Sequence, residues 1–190
     1  MNKVYRALKK RVKMLFGHLS VFIQTGIAGS TLCPRVLRVA IYRMFGNKIQ
    51  TCRINARCFI GGSKLEVGKN SFINFGNFFD LTDRIIIGEN VCLGMQSTFI
   101  TSSHQIGSST RRASDGVCAP IIIEDGCWIG GRCIILSGVT IGKGTIVGAG
   151  TVVTKDCDPN SVYVGVPARK IRTLEEDMSL SRIGKMFDKE

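Results

Sequence analysis

The chain has 190 residues, 44% of them hydrophobic, and a formal net charge of +12 at neutral pH. That length allows one main domain with appendages, and no apolar run reaches the ~18 residues of a membrane span. The charge calls for an anionic partner, whether membrane, nucleic acid or phosphorylated ligand; without nucleic-acid motifs or aromatic-interleaved basic patches, nucleic acid is the weakest of the three.

Residues 3–23 read as a helix. Val4, Leu8, Val12, Leu15, Leu19 and Phe22 recur every three or four positions and form one stripe. Lys3, Arg6, Lys9, Lys10, Arg11 and Lys13 lie mostly opposite, and residues 1–13 hold no acid. Two readings stay open: a helix lying on an anionic membrane, or one packed on its own protein with a solvated basic face. His18 and Gln24 interrupt the apolar part and no small-x-small cleavage site follows, which argues against a secretory signal. Residues 26–34 read as a loop, and residues 35–45 as a second helix ended by Gly46 and Asn47.

A period of six then governs the chain. Ile123, Ile129, Ile135, Ile141, Val147 and Val153 are β-branched aliphatics, and four places after each stands a small residue: Cys127, Cys133, Val139, Thr145, Thr151 and Cys157. Six is a multiple of two, so in an extended chain every aliphatic points to one side. Gly130, Gly142 and Gly148 directly follow aliphatics and suit a chain that turns a corner every six residues, because glycine accepts positive φ. Extended faces joined by corners make a coil, and stacked coils make an all-β solenoid. A succession of β-hairpins would break the constant spacing. Both N-terminal helices are expected to cover the open first coil.

The pattern begins weakly at Ile54 and Ile60, slips by one to Val67 and Ile73, and resumes at Ile87, Leu93 and Phe99. Fourteen residues separate Ile73 from Ile87, so the stretch with Asn74, Asn77, Asp80 and Asp83 bulges from a face. These residues are either turn formers or polar groups at a ligand edge. Gln105, Arg111 and Val117 occupy the in-step positions after Phe99, which makes 102–119 a protruding loop. Residues 171–187 read as a C-terminal helix with Ile171, Leu174, Met178 and Ile183 on its apolar side. The divisions are therefore a helical cap over 1–47, a repeat domain over 48–168 and a tail over 169–190.

None of the eight cysteines forms a CxxC pair, and Cys58, Cys127, Cys133 and Cys157 occupy the small slot of the repeat. Packing explains them better than disulfides or zinc, consistent with a reducing cytosol. Only two histidines exist, His18 in the basic helix and His104 where the repeat gives way to the loop. An imidazole in a loop on a rigid scaffold is a candidate general base.

The run from Trp128-Ile129-Gly130-Gly131 through Thr154-Lys155-Asp156 to Gly165-Val166-Pro167-Ala168-Arg169 resembles the hexapeptide-repeat acyltransferases, nearest to their galactoside, maltose and polysaccharide O-acetyltransferase branch. The resemblance covers roughly residues 54–172. It implies a left-handed parallel β-helix, a homotrimer, and acetyl-CoA in the groove between neighbouring helices. Handedness comes from the resemblance alone, since general chirality favours right-handed crossovers. His104 matches the family's catalytic base, which takes the proton of an acceptor hydroxyl as it attacks the thioester directly, with no metal. The resemblance places Trp128 along acceptor and pantetheine, Gly131 at the oxyanion, Ala149 on the cofactor, and Lys155, Arg169 and Arg172 towards the nucleotide. Asn77 and Asp83 resemble its acceptor-contacting polar positions. A sugar or glycan acceptor in capsule, exopolysaccharide or lipopolysaccharide synthesis is implied, with a cytoplasmic enzyme that touches the inner face of the cell membrane if the N-terminal helix binds lipid.

Two departures qualify this. The maltose-type enzymes lack such a basic amphipathic start, and the loop after His104 lacks their further histidines. Serine or xenobiotic acetylation is the alternative within the class. A γ-type carbonic anhydrase needs three histidine ligands, where this chain has two. A non-catalytic solenoid would require neither His104 nor the basic residues near Pro167-Ala168-Arg169.

Overall fold

The computed structural model describes residues 3–175. Its body is a three-faced prism of parallel strands, each two to four residues long, that stack coil on coil. The first face runs Lys48–Ile49, Leu65–Val67, Ile85–Ile87, Ile121–Ile123 and Thr140–Ile141. The second runs Arg53–Ile54, Phe72–Ile73, Cys92–Leu93, Trp128–Ile129, Ile146–Val147 and Ser161–Val164. The third runs Phe59–Ile60, Phe78–Asp80, Thr98–Ile100, Ile134–Ile135 and Val152–Val153. The architecture is a parallel β-solenoid.

Register follows from the aliphatic period. On the second face Ile54, Ile73, Leu93, Ile129 and Val147 lie over one another, and on the third so do Ile60, Phe79, Phe99, Ile135 and Val153. All ten side chains are at most 1% exposed. With their counterparts on the first face they fill the prism as continuous ladders rather than one globular centre. Phe79 and Phe99 stack inside it with ring centroids 5.0 Å apart. The four cysteines of the small slot are buried, and all eight thiols are free. Burial pushes the Cys58 and Cys127 thiols up to about 11, so they serve as small apolar wedges rather than nucleophiles.

Steps between inward residues are six at nearly every corner. The variation concentrates at one corner, where the third face hands over to the first. The step there is seven from Ile60 to Val67, eight from Phe79 to Ile87, twenty-four from Phe99 to Ile123, and six from Ile135 to Ile141. The expected bulge between Asn74 and Asp83 is thus narrower: Phe79 keeps the step, and the extra residues fall just after Asp80. The irregular loop expected over 102–119 is an ordered antiparallel hairpin, Ser102–Ile106 with Ala113–Cys118, leaving the same corner.

Three further expectations need correction. Gly130, Gly142 and Gly148 are not at positive φ; that conformation falls at Gly126, Gly138, Gly144 and Gly150 and at Asn70, Asn90, Gln96 and Arg132. Gly130 is required for close approach, since a methyl there would meet the Ala149 backbone nitrogen at 2.5 Å. Secondly, the loop expected over 26–34 begins later. The N-terminal helix α1 (Lys3–Val21) runs on into a π-helical segment, Phe22–Ala28, and only then turns. Thirdly, Arg169–Thr173 is a strand antiparallel to Ser161–Val164, not the start of a helix. The rest of the expected C-terminal helix lies outside the described residues.

The cap is α2 (Arg35–Met44) with the π-helical segment, both set against the first coil. Arg38 is 3% exposed. Its Nε donates to Ala28 O, its Nη1 to Ile54 O and its Nη2 to Ser30 O and Cys33 O, at 2.7–3.0 Å. One buried guanidinium thereby ties cap to prism through four carbonyls.

Candidate active site

A groove of about 590 Å³ runs along the outside of the second face and over the corner leading to the third. Its floor comes from the outward partners of the buried ladder. Cys92, Trp128, Ile146 and Val162 each precede an inward residue and pair across successive coils. Trp128 is 46% exposed. Ile171 and Arg172, on the terminal antiparallel strand, close one end. The structure therefore brings together four of the sequence-derived residues: Trp128, Gly131, Ala149 and Arg172.

The corner of the groove is chemically distinctive. Gly130 N–H donates to Val147 O (2.7 Å), Arg132 N–H to Met95 O (2.8 Å) and Gly150 N–H to Gly131 O (2.9 Å). Among the described residues, no intramolecular acceptor takes the N–H of Met95, Gly131 or Ala149, which recur once per coil and border the groove. A long apolar slot edged by unspent amides suits a ligand with an alkyl body and spaced carbonyls. Arg172 at its end adds a cation for an anionic terminus.

Lys155 and Arg169 do not line this groove. They border a separate depression of about 200 Å³ with Thr154, Tyr163 and Lys170. Lys170 Nζ is 3.0 Å from Asp158 Oδ2, and this bond holds the Asp158 carboxyl below its usual range.

His104 sits on the first strand of the hairpin, opposite Gly116, and is exposed. Its Nδ1 is 3.3 Å from Ser114 O. A carbonyl only accepts, so that contact places the proton on Nδ1 and leaves Nε2 as the basic nitrogen. Asp80 anchors the base of the hairpin: its Oδ2 accepts from Ser102 N–H (2.9 Å) and Ser102 Oγ–H (2.6 Å), and its Oδ1 from Thr82 Oγ–H (2.7 Å). Partial burial raises the Asp80 carboxyl, but the Ser102 and Thr82 hydrogen bonds outweigh it and the net shift is downward.

Asn77 corrects the sequence reading. It is fully buried; its Nδ2 donates to Asn74 O and Gly94 O and its Oδ1 accepts from Ser97 N–H. With its amide spent on coil backbones it is a corner brace and presents nothing to a ligand. Asp83 lies half-buried at the hairpin corner; its backbone N–H donates to Thr101 Oγ1 (3.0 Å). Sequence reasoning missed Cys92 and Met95 as groove residues, whereas Asn74, one of the residues it read as turn formers or polar groups at a ligand edge, does line the groove. A signal existed, because the position before each inward residue of the second face is apolar from Phe72 to Val162. Among the described residues, no three His, Cys, Asp or Glu side chains are grouped to hold a metal.

Fold and groove together define a parallel β-helix with an open apolar channel along one face. Residues 120–155 match the family described as the hexapeptide repeat of succinyl-transferase. A maltose O-acetyltransferase from Clostridium difficile 630 superposes with a TM-score of 0.75 at 35% identity, covering 85% of this chain and 88% of that one. A hexapeptide-repeat acetyltransferase from Vibrio cholerae, solved with acetyl coenzyme A, gives 0.73 at 32% identity over 83% and 86%. The galactoside O-acetyltransferase of Escherichia coli K12 is 36% identical over 118 residues, 62% of this chain and 58% of its own length. The chain belongs to the hexapeptide-repeat acetyltransferases. It spans between 56% and 59% of the curated relatives it matches.

Proposed function

We propose that the chain transfers an acetyl group from acetyl-CoA to a hydroxyl of a sugar or glycan. The observation that carries this is the groove itself: an apolar slot edged by the free amides of Met95, Gly131 and Ala149, in a family whose Vibrio cholerae member was solved with acetyl coenzyme A. Pantetheine has the alkyl segments and spaced amide carbonyls that such an edge recognises. The maltose and galactoside enzymes named above support a sugar acceptor. Assembly of capsule, exopolysaccharide or lipopolysaccharide is the setting we infer.

In this reading His104 Nε2 accepts the hydroxyl proton while the oxygen attacks the thioester carbonyl. The Gly131 N–H stabilises the oxyanion that forms. Collapse of that intermediate expels the CoA sulfur, which takes the proton back from His104. Nδ1 stays bonded to Ser114 O throughout, fixing the ring.

The site is shared between copies in a trimer. The hairpin leaves the corner between the third and first faces, which is the corner opposite the second face that carries the groove. A base on that hairpin serves a neighbour's groove more directly than its own. In this reading Lys155 and Arg169, which border the separate depression, meet a nucleotide phosphate.

Thiol release from acetyl-CoA in the presence of a panel of sugars, nucleotide sugars and serine tests the reading. His104→Ala is expected to lower turnover at least about a hundredfold, the usual size of a lost general base. Near-normal turnover in that variant removes the assigned role, and preference for serine over every sugar moves the chain to the amino-acid branch.

A further inference from the structure

The net positive charge comes from one end of the molecule. Residues 1–65 hold 13 of the 26 Lys and Arg and none of the 14 Asp and Glu; the remaining residues hold 13 bases against 14 acids. This first third is the helical cap with the opening coil, so the whole net charge of +12 belongs to the N-terminal end of the prism.

The same end is apolar on its surface. At 3.6 residues per turn, Tyr5, Val12, Leu15, Phe16 and Leu19 fall within an arc of about 100° on α1. All five are exposed, Leu15 and Phe16 each by 68%. Lys9 and Arg11 are exposed and flank the two edges of that arc. Beyond α1, Leu32 is 91% exposed and Val36 85%. Among the described residues, no helix is long and apolar enough to cross a membrane.

We propose that α1 and the cap dock in the plane of an anionic lipid bilayer, with the apolar arc in the acyl boundary and the flanking bases against phosphate headgroups. Apolar area alone would suit another protein copy. A segment of this charge with no acid of its own opposes a second identical copy and complements anionic lipid. The prism would then stand with its N-terminal end on the surface. The proposal is independent of the acetyl-transfer reading, since docking needs no substrate.

The full chain should sediment with phosphatidylcholine vesicles that contain phosphatidylglycerol and remain in solution with phosphatidylcholine alone. The binding should weaken as salt rises. Leu15→Asp/Phe16→Asp should abolish it, and Lys9→Glu/Arg11→Glu should weaken it at least about tenfold. All four side chains are exposed, so both variants should melt like the parent. Equal binding to both vesicle types, or to neither, overturns the proposal. So does retained binding by Leu15→Asp/Phe16→Asp, which would indicate charge attraction to any polyanion, and so does a change in oligomer size of that variant without vesicles, which would show that another copy covers the face.

Discussion

The role proposed for His104 rests on position rather than on an unusual environment, since the side chain is exposed and held by one carbonyl. Asp80 fixes where the hairpin that carries His104 starts. A carboxyl whose pKa is lowered by folding adds stability above its ordinary value near 3.8 and loses it as pH falls through the lower folded value. Asp80→Asn should therefore cost about 1 kcal/mol at neutral pH, given partial exposure of its charged hydrogen bonds. The gap in melting temperature between parent and variant should close as pH falls below the ordinary carboxylate range; a gap unchanged into acid would mean that Asp80 acts through shape alone. Turnover should fall with the hairpin's register while acetyl-CoA affinity stays level, because the groove lies on another face. Asn77 shows how an acceptor residue and a brace are confused in sequence. It stands four places after Ile73, in the slot filled elsewhere by Ser71, Ser97, Thr145 and Thr151, all of them buried. Spacing alone assigns it to packing.

At the scale of elements, the sixfold spacing made the prism legible because each inward residue is forced by the coil below it. The hairpin was visible only as a loss of phase. Its strands are exposed on both sides, so no alternation marks them, and the same holds for Arg169–Thr173. Ile171 and Leu174 there mimic a helical spacing of three. The groove was half legible: Trp128 and the glycines by resemblance, the remaining floor only once pairing aligned the second face. The cap was legible as helices, but its latch was not, since Arg38 looks like one more base in a basic segment. Arg38→Ala should take a charged donor from four carbonyls, those of Ala28 and Ile54 buried, and destabilise the fold by about 3 kcal/mol. Phe99→Ala, which empties the middle of the prism, should cost about 3–5 kcal/mol. Urea unfolding checks both. Arg38→Ala should act on the cap first, exposing residues 22–45 to protease before the repeat domain yields.

Whole-molecule architecture poses a sharper question, namely whether base and groove of one working site belong to one copy. The prism separates them by a full face: the groove is on the second, the hairpin at the opposite corner. Two inactive variants distinguish the arrangements. His104→Ala removes the proposed base and leaves the groove. Ala149→Trp fills the groove at an exposed corner and leaves the hairpin. Each alone should show only residual turnover. If each site pairs one copy's hairpin with the next copy's groove around a closed ring, refolding an equal mixture of the two should return about a quarter of parental turnover, because half the hairpins and half the grooves are intact and they assort at random. Sites built within one copy would return none, since no copy in the mixture carries both. Refolding the variants separately and mixing them afterwards should also return none, which separates shared sites from contamination by parent protein.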